Sequence, residues 1–581
     1  MRIKRIEIGS FKNLKNLILE PKDYTAQVVI GQNASGKSNL IEALVAIFRH
    51  LDLAEHPPFD YQLEYTCRGH YVIVLASSNK ITIEVKDKGS NTPKIIELDE
   101  FASKALEYLP AQVFAYYSGR NERLEQLFFE HQRQQYFKLR GKYVENQEGE
   151  SHFLSEDVLL RRLFYCRNEH SSLILLTYLI DLERKIGLER KNIQGKSDDL
   201  KKEINLLREY LQISGIESAL FVIQKPQQLP IEAINETDTE LTELENTGDE
   251  RFWNASGVMA DFLSILWKYA LAPIDEEINK LIDFRGYTQP QETIYLYLDK
   301  KRLIDAANEI GDVNIFFRQL EGVYMAGYLD EVRIQVRREG SENPIFYKEL
   351  SEGEQQLMTV LGLLQFNRDD ESLFLLDEPD THLNPIWKYN YFSLMIDDVL
   401  ASKEDFLNKN QLFITTHDPL MLGSLLKEQV LVLIKSNQGT TVEHPYQNPR
   451  GMGFSNLLRS EMFGLRSTID RKTLDDLDER NRLIAKRSKS GLEPKETTKL
   501  AELQERLEEL GFGREFQDPM YQLFIEKMYE SKKQPIDTVL SKEQIDEQSQ
   551  LAEKIVKELI HKEKMDELSD LARELKIQLS E

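Results

Sequence analysis

The sequence predicts an α/β fold. One domain, here called the head, is built from two separated halves, with a mainly helical insertion between them and an α-helical C-terminal region after them. Near the N-terminus an apolar strand runs into a glycine-rich loop and then a helix. After residue 330, apolar strands return and end in acidic residues or histidine. The other long segments are charged and have helical spacing. The expected parts are residues 1–120 (N-lobe of the head), 121–329 (insertion), 330–450 (C-lobe of the head) and 451–581 (C-terminal region).

Composition restricts the class of protein. The 581 residues include 74 Lys plus Arg and 98 Asp plus Glu, a formal net charge of −24. Because single cores rarely grow beyond ~250–300 residues, we expect two or more structural units. The acidic balance disfavours non-specific wrapping of nucleic acid, although it does not exclude a local basic patch. Candidates for such a patch, which fit a solvated helix face equally well, are Lys185, Arg190, Lys191 and Lys196.

Three features predict a cytoplasmic protein without membrane contact. Two cysteines, Cys67 and Cys166, are too few for a disulfide framework, which favours a reducing compartment. The N-terminus, MRIKRIEIGSFKNLKN, alternates charged and apolar residues and differs from a signal peptide. The longest apolar runs, such as SSLILLTYLI, fall short of the ~20 residues that span a bilayer.

The pattern of each segment predicts its secondary structure. Strands are expected in residues 1–30, followed by a helix at 36–50. Residues 121–225 contain few Gly or Pro and are expected to be mostly helical, with further helix around 255–285. The acidic, proline-containing residues 226–250 predict a mobile loop or linker.

The strongest motif is Gly31-Gln32-Asn33-Ala34-Ser35-Gly36-Lys37-Ser38, which matches G-x-x-x-x-G-K-[ST] between a strand and a helix. Small residues allow the backbone N–H groups to surround phosphate oxygens, and the helix adds its positive N-terminal end. Lys37 would contact the β- and γ-phosphates of ATP, and Ser38 would ligate Mg²⁺. The flanking strand and helix make a chance glycine-rich turn a poor alternative. The predicted nucleotide-binding residues of this loop are Asn33, Gly36, Lys37 and Ser38.

A second motif ends the apolar run Leu373-Phe374-Leu375-Leu376 with Asp377 and Glu378. A buried strand would deliver both carboxylates at its end. Asp377 would hold the Mg²⁺ shell, and Glu378 would orient or deprotonate the attacking water. Alone this pattern is weak, but the phosphate loop makes it informative.

A third segment, Leu350-Ser351-Glu352-Gly353-Glu354-Gln355-Gln356, precedes an apolar helix. Taken alone, Ser351 and Glu354 are equally well a capping box that only starts the helix. The position of Ser351, 26 residues before Asp377, favours a functional role. This order of motifs resembles that of ABC-type ATPases, in the variant found in the SMC, RecF and OLD group.

The resemblance implies a split ABC-type P-loop ATPase head. Ser351 and Gly353 would face ATP held by another subunit, so that two heads form a homodimer around two nucleotides; a higher oligomer stays open. Asp380 would lie in the D-loop. His417 would be the switch histidine, which senses the γ-phosphate or polarises the water. The gap of 314 residues between Lys37 and Ser351 favours the SMC and RecF branch.

Two details of the resemblance concern the edge of the site. The family places a glutamine where the N-lobe meets the insertion, but Gln112 precedes its strand, and Ser118-Gly119-Arg120 occupies the expected place. How ATP couples to the insertion is therefore left open. Lys12 is expected near the phosphates.

OLD enzymes resemble this head but add a metal-binding nuclease domain after the switch histidine. The acidic residues that could serve it, Asp475, Asp476 and Asp478, lie in a charged segment with no apolar strand before it. A solvated helix face is the better interpretation, and we assign no nuclease activity to this chain.

The tail is more specific. Gly453-Phe454-Ser455-Asn456-Leu457-Leu458 and the later Asp518-Pro519-Met520-Tyr521 resemble segments of the PtuA-like ATPases of Septu and of some retron antiphage systems. This implies a separate HNH nuclease as partner and, in the retron case, a DNA–RNA hybrid. Two alternatives stay open: a RecF- or SMC-like DNA repair clamp, which the charge of −24 disfavours, and a module whose ATP is structural.

Overall fold

The computed structural model divides the chain into two compact units, Met1–Arg450 and Gly451–Glu581. The residues that it describes are 1–77, 80–89, 92–119, 122–140, 161–167, 169–191, 198–227, 248–281, 283–341, 343–366, 371–400, 408–436, 439–512, 524, 527–528, 546–547, 549–561 and 564.

The first unit mixes strands and helices. Its strands are β1 (Arg2–Phe11), β2 (Leu14–Leu19), β3 (Ala26–Gly31), β4 (Tyr61–Cys67), β5 (His70–Ser77), β6 (Lys80–Asp87), β7 (Lys94–Ile96), β8 (Val113–Tyr117), β9 (Leu163–Cys166), β10 (Ile213–Gln224), β11 (Ile274–Leu281), β12 (Thr288–Asp299), β13 (Leu329–Arg338), β14 (Ile345–Phe346), β15 (Leu373–Asp377), β16 (Gln411–Thr415), β17 (Val430–Ser436) and β18 (Gly439–Glu443). Its α-helices are α1 (Lys37–Leu53), α2 (Leu98–Ser103), α3 (Ala105–Tyr108), α4 (Arg123–Gln126), α5 (Phe129–Arg140), α6 (His170–Lys191), α7 (Asp198–Leu211), α8 (Gly257–Tyr269), α9 (Lys300–Ile310), α10 (Val313–Met325), α11 (Glu352–Phe366) and α12 (Pro385–Phe392).

A seven-stranded sheet joins the two halves of the head. Its order is β18-β17-β3-β16-β15-β8-β9, and only β18 runs antiparallel to its neighbour. β3 and β8 precede the insertion, whereas β15 and β16 follow it. All residues of β15 and β16 are buried, as is typical of parallel strands covered on both faces. The predicted fold class, an α/β P-loop head divided by an insertion, is confirmed.

An antiparallel sheet completes the N-lobe, with the order β2-β1-β4-β5-β6-β7. β4 alternates buried and partly buried residues, since one face packs on the core. One hydrophobic core joins this sheet, α1 and residues of the parallel sheet such as Val113, Leu373 and Phe413. The phosphate loop is thus anchored on both sides.

A second antiparallel sheet, β11-β12-β10-β13-β14, corrects the sequence-based expectations. Helix was expected at 213–224 and 274–281, and both predictions are wrong. In β11, Ile274, Ile278 and Leu281 have the spacing of one helix face, but the segment forms a hairpin with β12. β10 is a central strand buried on both faces, and so lacks the alternation that identifies strands.

The second unit contains α13 (Phe454–Arg459), α14 (Arg471–Ser490) and α15 (Pro494–Glu509). Leu483 of α14 and Leu500 and Leu503 of α15 form a small apolar cluster. The predicted segment 518–521 and most of the predicted loop 226–250 lie outside the described residues. No helix in the described part of the chain has the length and apolar content that a membrane span requires.

A buried ion pair links the N-terminal side of the insertion to α10. Arg161 donates to Glu321 Oε1 at 2.6 Å, and the two side chains are only 4% and 5% exposed. His170 Nε2 lies 3.6 Å from the same oxygen. Burial is the largest influence on the pKa of Glu321 and raises it, but Arg161 and His170 outweigh burial, so the pKa lies below its ordinary value.

We predict that Glu321→Gln lowers the free energy of unfolding by roughly 3–5 kcal/mol, because the charge of Arg161 then stays buried without a counter-charge. Calorimetric scans of the purified chain measure this as a lower melting temperature. Glu100→Gln is the control, since it removes only the exposed Glu100–Lys104 pair and should change little. Equal melting temperatures for the two variants would contradict the prediction.

Candidate functional site

The site lies at the carboxyl edge of the parallel sheet. In the strand register, Asp377 at the end of β15 stands beside Thr415 of β16 and Tyr117 of β8. Because parallel strands end at the same edge, the segments that follow β3, β15, β16 and β8 converge there. The predicted phosphate loop, acidic pair and histidine are on three of these segments.

The phosphate loop has a backbone that only glycine permits at two positions. Gly36 has φ +110°, and a Cβ there would lie 2.5 Å from Leu14 Cδ2. A Cβ on Gly31 would lie 2.6 Å from the carbonyl oxygen of Leu433. Ser35 Oγ is buried and has no hydrogen-bond partner within the described residues. A tight cradle with an unpaired hydroxyl suits a phosphate group.

Asn13 holds this loop in place, a role that the sequence analysis missed. Its Nδ2 donates to the carbonyl oxygen of Ala34 at 2.8 Å, and its Oδ1 accepts from Asn39 of α1 at 2.6 Å. The neighbouring Lys12, which is expected near the phosphates, pairs with Glu42 of α1. In the sequence, only its position in the turn after β1 distinguishes Asn13.

Lys37 is buried at the start of α1. Its Nζ donates to the carbonyl oxygen of Gly31 at 3.0 Å. Burial lowers the pKa of Lys37, while the charges of Glu378 and Asp377 oppose that shift. The ammonium group therefore lies between the loop and the acidic pair. Asn33, in contrast, is exposed at the top of the loop.

Asp377 is buried and accepts hydrogen bonds from Thr415 Oγ1 and from Ser38. Burial raises its pKa, and the two hydroxyl donors oppose this effect. A carboxylate beside a serine hydroxyl is the hard-oxygen donor set that Mg²⁺ prefers. The site thus fits the cation that the sequence motifs imply.

Glu378 and His417 form an ion pair at the surface of the site. His417 Nδ1 lies 3.0 Å from Glu378 Oε1. This hydrogen bond is the main cause both of the lowered pKa of Glu378 and of the raised pKa of His417. Glu378 has φ +53°, and its N–H donates to the carbonyl oxygen of Thr415 at 3.1 Å, so the backbone conformation is held by β16.

Asp380 is buried behind this pair. It accepts a hydrogen bond from Thr416 Oγ1 at 3.0 Å. Burial raises the pKa of Asp380 to about 6. Asp380 lies two residues after Glu378, in the segment expected to be the D-loop.

Ser351 starts α11 as a capping box. Its N–H and its Oγ both donate to Glu354 Oε2, at 2.7 and 2.8 Å. Gly353 allows close packing on the segment after Glu378, because a Cβ there would lie 2.5 Å from the carbonyl oxygen of His382. Ser351 itself is exposed. The capping role is thus present, and it leaves the N-terminus of α11 open to solvent.

Ser118 occupies the place of the expected glutamine. Its Oγ lies 2.9 Å from Thr381 Oγ1, and Thr381 donates to the carbonyl oxygen of Glu378 at 2.9 Å. The root of the insertion is therefore hydrogen-bonded to the acidic segment without a glutamine. Arg120 lies outside the described residues.

Other candidate residues are not in the site. Asp476 pairs with Arg506 at 2.7 Å, and Asp478 pairs with Arg466.

The candidates for a basic patch are also accounted for. Lys185 pairs with Asp181 at 2.8 Å. Lys196 and the side chains of Arg190 and Lys191 lie outside the described residues. Across the described ranges, no cluster of three or more His, Cys, Asp or Glu could hold a metal.

The fold and the site define a P-loop ATPase whose head is divided by an insertion. The AAA ATPase domain family matches residues 1–422, and the chain belongs to this family. It is related to the Septu protein PtuA of Bacillus mycoides (strain KBAB4), with 28% identity over 130 residues. That match covers 21% of this chain and only 17% of PtuA. The prediction of a P-loop ATPase related to PtuA is confirmed.

Two solved structures share low similarity with the chain. The Smc head domain from Pyrococcus furiosus, solved with an extended coiled coil and bound to the C-terminal domain of ScpA, is 13% identical with a TM-score of 0.30, over 76% of this chain and 96% of that one. The recombination mediator RecF with ATP is 15% identical with a TM-score of 0.25, over 76% and 97%. Similarity this low says nothing about activity or partners.

We predict that Glu378→Gln lowers the pKa of His417. In the native chain the raised pKa keeps His417 protonated to higher pH, and the ion pair is lost as pH rises through that pKa or falls through the lowered pKa of Glu378. NMR titration of the histidine Cε1–H signals measures the change, with His417→Asn to assign the resonance. Glu352→Gln, which removes the carboxylate beside His382, should leave His417 unchanged. An unaltered His417 pKa in Glu378→Gln would refute the pairing.

Proposed function

We propose that the chain hydrolyses ATP with Mg²⁺ in a site shared by two copies. The observation that supports this most is the exposed position of Ser351 at the N-terminus of a fifteen-residue helix. Such a helix end binds anions. One copy would contribute the phosphate loop, and the other would contribute Ser351 and Gly353.

The residues of the site suit distinct roles in this reaction. Lys37 would neutralise phosphate charge, and its burial strengthens that interaction. Ser38 and Asp377 would hold Mg²⁺, which supplies charge neutralisation at the phosphates when bound. Glu378, whose lowered pKa favours the ionised form further, would orient or deprotonate the water, and His417 would control when that carboxylate is released.

We further propose that the ATPase regulates a nuclease carried by another chain in an antiphage defence system. The match to PtuA and the resemblance of the tail to PtuA-like ATPases support this. The partner would be an HNH nuclease, with DNA or a retron DNA–RNA hybrid as a further component.

Both cysteines are free and buried, in keeping with a cytoplasmic location.

We predict that Ser351→Arg abolishes ATP hydrolysis while ATP binding stays measurable, because the bulky cation blocks the helix end that serves the other copy. Phosphate release and equilibrium binding of ATP measure the two properties. Ser341→Arg, at an exposed turn serine, is the matched control and should behave as the native chain.

A mixture provides a stricter test. Lys37→Met and Ser351→Arg should each be inactive, yet a mixed dimer retains one site with an intact loop and an intact Ser351. Random pairing of equal amounts would restore about a quarter of native activity. Native hydrolysis by Ser351→Arg alone would contradict the shared site.

The nuclease partner is tested by purification. Full-length tagged chain from its native cells should recover a nuclease in a stable complex, and mass spectrometry identifies it. Recovery of neither nuclease nor nucleic acid would count against a regulatory role, whereas the shared ATP site would be unaffected.

A further inference from the structure

The strand β11 forms an unprotected edge of the five-stranded sheet. Its inner side pairs with β12 along its whole length, from Ile274 opposite Tyr295 to Leu281 opposite Thr288. Within the described residues no strand pairs with its outer side. Seven of its eight residues are exposed. Such an edge offers a row of backbone donors and acceptors to another strand.

Exposed apolar side chains lie at both ends of this edge. Leu271 and Ile274 are 58% and 56% exposed at one end, and Leu281 and Phe284 are 63% and 97% exposed at the other. Exposed apolar side chains at both ends of a free strand edge suit contact with another strand, which would cover them.

We propose that β11 pairs with β11 of a second copy of this chain, antiparallel, about a two-fold axis through Ile278. A two-fold axis perpendicular to the sheet keeps each face on its own side, so opposed residues must lie on the same face of the strand. Centred on Ile278, the pairing sets Glu276 opposite Lys280 of the second copy, and symmetry repeats this pair.

The charges select this register. If the axis passed through Glu277, that glutamate would face its own copy, which is unfavourable in directly opposed positions. In the proposed register both opposed ionic pairs are of opposite sign. The antiparallel direction also brings the end with Leu271 and Ile274 beside the end with Leu281 and Phe284 of the second copy.

This contact needs no nucleotide and does not rest on the proposed function. It differs from the contact between heads, which involves Ser351 and the phosphate loop. A chain with two distinct two-fold contacts assembles into four or more copies.

The experiment is sedimentation velocity of the full chain without nucleotide over a range of concentrations. The native chain should dimerise. Glu276→Lys or Lys280→Glu sets like charges opposite each other twice, and each should weaken self-association at least about tenfold. An equimolar mixture of the two variants should dimerise again, because every opposed pair in the mixed dimer has opposite signs. The double variant should also self-associate.

Two controls separate the contact between copies from effects inside one chain. Lys280 also donates to Asp330 at 2.5 Å, so Asp330→Asn removes that internal pair and should leave dimerisation intact. Lys225→Glu reverses another exposed charge, directly after β10, that does not face the second copy. A native chain that stays monomeric, single variants that associate normally, or a mixture that stays apart would each overturn the proposal, as would a different protein bound at β11 in its place.

Discussion

The site depends on the parallel pairing of β15 with β8 on one side and β16 on the other. β8 is from the first half of the chain, and β15 and β16 are from the second. Only this pairing places Asp377 level with Thr415 and Tyr117, and beside Ser38 of the phosphate loop. The chemistry therefore depends on both halves of the chain returning to this sheet, to which the insertion adds the edge strand β9.

Once the strands are paired, buried side chains of opposite charge face each other in the site. Lys37 loses hydration and Asp377 does too, so burial disfavours the charged form of each, while each favours the charged form of the other. Glu378 is better solvated and is neutralised by His417. A site of this kind stabilises additional negative charge best near Lys37, because the low dielectric around a buried cation strengthens its attraction for phosphate.

The sequence was sufficient to identify site residues where their role rests on local backbone geometry. The phosphate loop and the acidic pair follow from a strand, its end and the next turn, so their residues could be identified directly. The roles of Asn13 and Ser118 could not be predicted, because these residues act through contacts with Ala34 and Thr381, which are distant in the chain. β11 was misjudged because the spacing of Ile274, Ile278 and Leu281 is helical, and pairing with β12 overrides that preference.

Ser118 shows how the insertion can affect the site although the family's glutamine is missing. A threonine hydroxyl has one proton, and Thr381 gives it to the carbonyl oxygen of Glu378, so Ser118 must be the donor in its bond to Thr381. Ser118 directly follows β8, where the chain leaves the N-lobe. Two hydrogen bonds in series thus connect the root of the insertion to a glutamate whose φ of +53° is maintained only by its surroundings. The root of the insertion is thereby connected to the backbone of Glu378 and, through that residue, to His417.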